Sequence, residues 1–373
     1  MVTLLLFDGG GGNSPIERTL RRIRQAIALD TLEKAATIPQ VSQIVVATDD
    51  PAWTEGLTSH PIIVDLDREG EPFHFGRRLA DLITRYSVAR AFYIGAGSAP
   101  LLSPAQMAQV VTRLTIERRT ALTNNLHSSD WVAFTPASAI PPLAEVLSTD
   151  NALAWVLAEK AGFPVETLPR SAATQFDVDT PVDAMILALH PEAGAHSRAL
   201  LRRLEWDLSR LEEALAVLRR EGGQVIIAGR VSASVWAALE RETRCWVRVF
   251  AEERGMRASG RLARGEVRSL LAELLKLVGP EAFFRRLGEM AEAVFLDDRV
   301  LMAAHGRWPS APDRYYSDLF EVEKVRDPFL RRFTQAAREA PLPAVLGGHS
   351  LVAGGMLALL EAMKTKNGLS ARP

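Results

Sequence analysis

The sequence predicts an α/β protein in which a mostly parallel sheet domain is followed by a smaller, helix-rich α/β domain. Short, nearly continuous apolar runs alternate with amphipathic stretches along the chain, a pattern typical of a parallel sheet covered on both faces. A length of 373 residues is enough for two domains. The amino-acid composition changes near residue 190, so we expect domains at 1–192 and 223–373, joined by a helical linker at 193–222.

The first domain begins with an apolar strand that ends at Asp8 and four glycines. A helix follows, because Leu20, Ile23 and Ile27 recur at near-helical spacing. Further along, the sequence predicts strands over 43–48, 62–65, 91–95 and 131–134, another strand before Asn124, and helices over 75–86, 153–161 and 183–189. Polar residues at the carboxyl ends of such strands are candidates for ligand binding, because parallel sheets bind ligands at that edge.

The same alternation of apolar runs and amphipathic stretches predicts the second domain. Its strands are expected over 224–228, 246–251, 293–296 and 343–346, and its helices over 233–242, 264–278 and 280–292. The last residues, 364–373, are expected to fray.

Charge and cysteine content exclude several classes of protein. The chain has 44 Lys and Arg against 45 Asp and Glu, so bulk charge does not favour binding to nucleic acid or to an anionic membrane. A single cysteine, Cys245, excludes an intramolecular disulfide and any multi-cysteine metal site. With neither a signal peptide nor a membrane span in the sequence, we expect a cytoplasmic protein and leave a homodimer open.

The most informative motif is a pair of carboxylates, Asp177 and Asp179, which stand two residues apart just before Pro181. In an extended segment such residues point to the same side, so both could bind one cation. A divalent ion such as Mg²⁺ prefers one or two carboxylates and takes its other ligands from water and substrate phosphates. The alternative is that Asp179 or Thr180 only caps the helix that Pro181 starts.

Together with Asp183, this motif resembles the D-x-D-T-P-x-D segment of nucleotidyltransferases with the GT-A-like fold. The resemblance is to proteins similar to molybdenum-cofactor guanylyltransferases and to the guanylyltransferase of deazaflavin-cofactor synthesis. Residues 4–12 resemble the family's phosphate-binding loop, and residues 93–103 resemble its G-x-D-x-P-L-L segment. The resemblance covers roughly residues 1–190 and implies a Rossmann-like, GT-A-type first domain.

The resemblance implies transfer of a nucleotidyl group from an NTP to a small phosphorylated acceptor, with release of pyrophosphate. Mg²⁺ or Mn²⁺ would bind Asp177 and Asp179, and Asp8 with its loop would bind the nucleotide. Arg18 would add positive charge to the transferring phosphate. The triphosphate would be held by the backbone of four consecutive glycines, namely Gly9, Gly10, Gly11 and Gly12.

Two departures from the family pattern leave alternatives open. Ser98 stands where the family has a metal-binding aspartate, and no lysine occurs before Lys34, although the family loop carries a Pro-Lys pair. A glycosyltransferase that uses a nucleotide sugar is one alternative. A catalytically silent nucleotide-binding or regulatory protein is the other.

Two further sets of residues are candidates on weaker patterns. Asn124 and Asn125 follow a predicted strand, where their amides could contact a base or sugar, although turn-forming asparagines fit the same pattern. In the second domain, His349 and Ser350 follow a strand and two glycines. Asp297, Asp298 and His305 follow the preceding strand, so these three residues and His349 could converge in a metal or acid–base group. The alternative is that the glycines only allow tight packing.

Overall fold

The computed structural model describes residues 1–57, 62–68, 70 and 72–367. The chain divides into two compact units, and neither unit is one continuous stretch. The first comprises Met1–Gly11, Arg22–Thr174 and Gly194–Ser197, and the second comprises Gly12–Arg21, Gln175–Ala193 and the chain from Arg198 onwards.

Strands and helices alternate along most of the chain. The strands are β1 (Val2–Asp8), β2 (Val41–Thr48), β3 (Ile63–Leu66), β4 (Ala91–Gly95), β5 (Thr120–Thr123), β6 (Trp131–Thr135), β7 (Val165–Thr167), β8 (Gln224–Gly229), β9 (Trp246–Ala251), β10 (Ala293–Asp297) and β11 (Ala344–Gly347). The helices are α1 (Pro15–Ala36), α2 (Pro51–Thr54), α3 (Phe75–Arg85), α4 (Pro104–Ile116), α5 (Leu153–Ala161), α6 (Ala172–Gln175), α7 (Pro181–Leu189), α8 (Ala195–Arg203), α9 (Ser209–Arg219), α10 (Ala233–Glu242), α11 (Leu270–Val278), α12 (Pro280–Met290), α13 (Asp298–Ala304), α14 (Ala311–Asp318), α15 (Pro328–Arg338) and α16 (Gly354–Asn367).

The first unit is built on a seven-stranded sheet with the order β3-β2-β1-β4-β6-β5-β7. Strand β6 runs antiparallel to both its neighbours, and the other pairs are parallel, which confirms the predicted mostly parallel sheet. Alternate side chains of β1 enter cores on opposite faces. Leu4 and Leu6 belong to one core, whereas Leu5 belongs to the other.

The second unit is built on four parallel strands in the order β11-β10-β8-β9. On one face, Ile226 and Leu296 from the sheet share a core with Phe283, Phe284 and Phe333. Helix α9 packs against β8, β10 and β11, and α7 contacts β11 and α16. The sheet of this unit is therefore also layered with helices.

Some elements differ from the expectation. The predicted helix over 264–278 begins only at Leu270, because Gly265 adopts a φ of +67° and Ser269 caps the helix. Helix α16 continues to Asn367, beyond the start of the expected frayed tail, and residues 368–373 lie outside the described residues. Within the described part of the chain, the helices are all too short or too polar to cross a membrane.

Candidate functional site

The glycine loop follows β1 at the carboxyl edge of the first unit's sheet. Asp8, the last residue of β1, is buried, and its Oδ2 accepts hydrogen bonds from Thr48 Oγ1 (3.0 Å) and Gln25 Nε2 (3.1 Å). Gly10 (φ +69°) and Gly11 (φ +126°) have backbone conformations that favour glycine. Because β1 lies between β2 and β4, where the order of strands reverses, the loop stands at the usual ligand-binding position of such a sheet.

Carboxylates line this loop. The N–H of Gly10 donates to Asp49 Oδ2 at 3.4 Å, and a Cβ atom at Gly9 would lie 3.8 Å from Asp67 Oδ2. Burial raises the pKa of Asp67, although Arg78, which donates to its Oδ1 at 2.8 Å, opposes the shift. A triphosphate placed here would meet negative charge, so its binding calls for a compensating cation. Sequence reasoning missed Asp67, although it lies two residues after the predicted strand over 62–65.

Gly12 and Arg18 belong to the second unit. The Glu17 carboxylate lies against Gly12, where a Cβ atom would come within 2.1 Å of its oxygens. The same carboxylate accepts a hydrogen bond from Ser14 N–H at 3.2 Å. Arg18 is exposed, and its guanidinium donates to the backbone carbonyl of Asn13. The start of α1 thus holds Arg18 close to the end of the glycine run.

The remaining first-unit candidates are engaged in local turns. Ser98 N–H donates to Gly95 O at 3.0 Å, in the turn that follows β4. The Asn124 amide donates to Asp130 Oδ2 (2.5 Å) and accepts from Asp130 N–H (3.1 Å). Asn125 Oδ1 accepts from the N–H two residues on, at 3.1 Å. These bonds shape the loops, and contact of Ser98 or either asparagine with a nucleotide stays a prediction.

The Asp177–Asp179 segment leads into α7 in the second unit. Helix α7 starts with a capping box in which Asp183 Oδ2 accepts from Thr180 N–H (2.9 Å) and Thr180 Oγ1 (2.7 Å). Asp183 also accepts from Asp179 N–H at 3.2 Å. Capping is therefore done by Thr180 and Asp183, and the Asp179 residue stays exposed while Asp177 is half-buried. Burial raises the pKa of the Asp183 carboxyl to about 7.

The glycine-rich loop after β11 packs tightly on this acidic segment, inside the same unit. Ser350 Oγ donates to the backbone carbonyl of Asp177 at 3.1 Å. A Cβ atom at Gly354 would lie 2.0 Å from Gln175 O, and one at Gly348 would lie 3.3 Å from Thr180 Cγ2. The structure thus joins two motifs that the sequence places in different domains.

Asp297 and His349 stand at the carboxyl ends of β10 and β11. Asp297 is buried in a bidentate ion pair, in which Arg230 Nε donates to Oδ2 at 2.6 Å and Nη2 donates to Oδ1 at 2.9 Å. Burial, and then the charge of Arg230, lower the pKa of His349 below 6.5, while Asp297 and Asp179 oppose the shift. The imidazole of His349 is therefore neutral at pH 7. Arg230 was missed, although it follows a predicted strand.

Asp298 and His305 are not part of that group, so the expected convergence of four residues is corrected. Asp298 is buried and accepts from Arg299 Nη1 at 2.6 Å, and Arg299 also pairs with Asp318 at 2.7 Å. Burial raises the pKa of Asp298. His305 lies beyond the other end of α13, where its ring contacts Phe329 at a centroid distance of 5.2 Å. The seven-residue helix between them separates the two side chains.

A second group with metal-ligand chemistry lies in the first unit. Asp30, Glu33 and His196 bring one ligand atom each within 4.8 Å of the others. The two Asp30 oxygens accept from the N–H groups of His196 (2.8 Å) and Ser197 (3.0 Å), and His196 Nε2 is 2.7 Å from Glu33 Oε1. These contacts account for the cluster as a helix cap with a hydrogen bond between His196 and Glu33.

No family model and no curated protein matches the sequence of this chain. Among solved structures, a cytidylyltransferase from Leptospira borgpetersenii is similar, with 14% identity over 55% of this chain and 93% of that chain and a TM-score of 0.39. A 4-diphosphocytidyl-2C-methyl-D-erythritol synthase from Anaerococcus prevotii matches with 11% identity over 49% of this chain and 94% of that chain, at a TM-score of 0.35. A CMP:2-keto-3-deoxy-manno-octonic acid synthetase complexed with CTP gives 10% identity, 45% and 88% coverage, and a TM-score of 0.33. Likenesses at this level decide nothing about the substrate or the activity of this chain.

Proposed function

We propose that the chain is a nucleotidyltransferase that moves a nucleotidyl group from an NTP to a small phosphorylated acceptor. The observation that carries the proposal is the position of the Asp8–Gly11 loop, at the carboxyl edge of a mostly parallel sheet and at the reversal of its strand order. The motif resemblance of residues 4–12 and 177–183 adds the reaction class.

In this proposal the glycine loop holds the triphosphate. The backbone N–H groups of Gly9, Gly10 and Gly11 donate to phosphate oxygens, since glycines let a ligand approach the backbone closely. Asp8 is held by Thr48 and Gln25 and thereby fixes the start of the loop. Arg18, with its exposed guanidinium, adds positive charge for the transferring phosphate.

The donor set fits a hard divalent cation. Asp177 and Asp179 offer carboxylate oxygens, the ligands that Mg²⁺ and Mn²⁺ prefer, and the capping box uses Asp183 instead of either of them. We propose that these two carboxylates hold the ion. When bound, such an ion offsets the negative charge that develops on the phosphate oxygens.

The proposed reaction transfers the nucleotidyl group and releases pyrophosphate. A phosphate oxygen of the acceptor forms a bond to the α-phosphorus of the NTP, while the bond from that phosphorus to the bridging oxygen breaks and pyrophosphate leaves. The protein contributes position and charge, so it needs no covalent intermediate.

Isothermal titration with each of the four NTPs, with and without Mg²⁺, tests the proposal. We expect one NTP to bind the wild type in a Mg²⁺-dependent manner. The double variant Asp177→Ala/Asp179→Ala should lose this dependence. A Glu240→Ala/Glu289→Ala variant is the matched control, because it removes two exposed carboxylates from the same unit and changes the net charge equally.

Two results would contradict the proposal. One is an absence of NTP binding to the wild type, and the other is equal Mg²⁺ dependence in the two double variants. Pyrophosphate release in the presence of sugar phosphates reports turnover. Consumption of a nucleotide sugar without pyrophosphate release would instead identify a glycosyltransferase.

A further inference from the structure

The glycine-rich loop at the end of β11, residues 347–355, packs along the acidic segment that leads into α7. A Cβ atom at Gly354 would lie 2.0 Å from the carbonyl oxygen of Gln175, which precedes the two aspartates. At the other end, a Cβ atom at Gly347 would lie 2.5 Å from Cγ1 of Val182, which follows them. No larger residue fits at either position, so the loop lies directly against both ends of the segment.

The acidic segment has its two carboxylates on one side. Phe176 and Val178 are buried, with 1% and 0% of their surface exposed, whereas Asp177 is half-buried and Asp179 is exposed. This alternation is that of extended backbone, in which residues two apart point the same way. Asp177 and Asp179 therefore lie together on the side away from the buried residues.

Two hydrogen bonds from elsewhere in the second unit hold the backbone of this segment. Ser350 Oγ, in the glycine-rich loop, donates to the carbonyl of Asp177 at 3.1 Å. Asp183 Oδ2, in the first turn of α7, accepts from the N–H of Asp179 at 3.2 Å. Each of the two aspartates thus has one backbone group bonded to a residue that is not a candidate ligand of the cation.

Ser350 is itself fixed in place. It is 8% exposed and opens a turn, Ser350–Val352, in which its carbonyl accepts from the N–H of Ala353 at 3.0 Å. The next two residues, Leu351 and Val352, are fully buried. A hydroxyl has one proton to donate, and that of Ser350 is donated to Asp177.

We infer that Ser350 is a positioning residue for the divalent-cation site of the proposed function. It does not bind the ion, but it holds the backbone of Asp177 so that the carboxylates of Asp177 and Asp179 are available to the same ion. The groups that orient metal ligands contribute to the affinity of a metal site. The glycines of the loop serve to bring Ser350 up to the acidic segment.

The inference rests on the proposed function for the cation itself. A hydrogen bond of this kind also stabilises the fold, so a loss of stability alone does not identify a positioning role. The quantity that distinguishes the two roles is the affinity of the folded protein for the cation. A purely structural bond affects the free energy of unfolding and leaves that affinity unchanged.

Titration of the full chain with Mn²⁺ in the absence of nucleotide, with the free ion measured by electron paramagnetic resonance, tests the inference. The Asp177→Ala/Asp179→Ala variant identifies the part of the binding that belongs to this site. We expect Ser350→Ala to weaken that part about threefold or more, the usual effect of losing one hydrogen bond. Thermal unfolding checks that Ser350→Ala folds, which we expect because the change removes a single oxygen atom.

Thr243→Val is the matched control. Thr243 Oγ1 donates to the carbonyl of Leu239 at 2.8 Å, at the end of α10. The variant therefore also removes one hydroxyl-to-carbonyl bond from the second unit, and it keeps the shape of the side chain. Its melting temperature should fall as that of Ser350→Ala does, while its Mn²⁺ affinity should equal that of the wild type.

Three results would overturn the inference. If Ser350→Ala binds Mn²⁺ as tightly as the wild type, the inference fails and the proposed cation site stands. Equal weakening in Ser350→Ala and Thr243→Val would show a general effect of lost stability. If no Mn²⁺ binding depends on Asp177 and Asp179, the proposed cation site itself fails, and the role of Ser350 fails with it.

Discussion

Gly229 has both a positive φ and a close approach to a neighbouring side chain. Its φ is +117°, and a Cβ atom there would lie 2.4 Å from the Cβ of Asp297. We expect Gly229→Ala to lower the free energy of unfolding by about 2–5 kcal/mol, through backbone strain together with overpacking. Urea unfolding at pH 7 measures the loss.

Gly222→Ala separates the two causes. Gly222 has a φ of +73°, and a Cβ atom there would have open space for 4 Å around it, so only the strain applies. Its loss should be about 1–2 kcal/mol. Equal losses in the two variants would show that contact with Asp297 adds nothing.

His190 makes the protein sensitive to acid. Its Nδ1 accepts from Glu192 N–H at 3.2 Å, and burial lowers its pKa below 6.5 in the folded state. The unfolded chain then binds a proton that the folded chain does not, so the free energy of unfolding falls as the pH drops below about 6.5. His190→Asn should reduce this fall between pH 7 and pH 5, measured by urea unfolding.

His127→Asn is the control for His190, because His127 is exposed. It should leave the pH dependence of the wild type unchanged. A histidine NMR titration that puts the pKa of His190 above 6.5 would refute the prediction directly.

At this scale the sequence identifies candidates but not their partners. Asp177 and Asp179 were found from their spacing. The pairing of Arg230 with Asp297 joins residues 67 positions apart, and no local pattern signals it. Asp298 is engaged by its neighbour Arg299, which also pairs with Asp318, 19 positions further along, so the sequence alone did not show that Asp298 belongs to a buried ion-pair group.

The N-terminus of helix α8 is capped by a carboxylate from a distant part of the chain. Asp30 is buried and accepts from two N–H groups in the first turn of α8, at His196 and Ser197. Asp30→Ala leaves both groups without this acceptor, and we expect a loss of about 2 kcal/mol or more in the free energy of unfolding. Glu33→Ala removes only an exposed contact with His196 and should cost less than about 1 kcal/mol.

Zinc or manganese titration completes that test. If Asp30, Glu33 and His196 only form a cap and a hydrogen bond, the ions should not raise the melting temperature of the wild type more than that of Glu33→Ala. A loss in Glu33→Ala as large as that in Asp30→Ala would contradict the capping role.

Most strands were predicted because their apolar runs are nearly continuous, as β1 and β10 illustrate. The direction of β6 was not predicted, since an antiparallel strand buried on both faces has the same apolar pattern as a parallel one. Strand β7 was missed because Val165–Thr167 is short and largely exposed. Helix α4 was missed although Ser103 and Gln106 form a capping box, which is visible in the sequence.

At the scale of the whole molecule, the second unit needs segments that precede its own sheet. Helices α7 and α9 pack against its strands, and α7 also contacts α16. A fragment of residues 223–373 lacks both helices, so we expect it to expose apolar surface and to unfold without a cooperative transition. A fragment that begins at Gln175 restores both helices and should unfold cooperatively.

Circular dichroism and urea unfolding of the two fragments measure this difference. Cooperative unfolding of the shorter fragment at the same urea concentration as the longer one would contradict the prediction.

Composition suggested a boundary near residue 192, whereas the contacts group Gln175–Ala193 with the second unit. Composition is a local property, and membership of a unit depends on contacts that form only in three dimensions.

Helix α1 is shared between the units, since Gly12–Arg21 belongs to the second and Arg22 onwards belongs to the first. On the ribosome its first turns emerge before most of the second unit, which is made only after residue 198. At usual rates of synthesis this delay lasts on the order of ten seconds or more. We expect Ile16 and Leu20, which are buried in the finished protein, to stay uncovered until the rest of the second unit has been made.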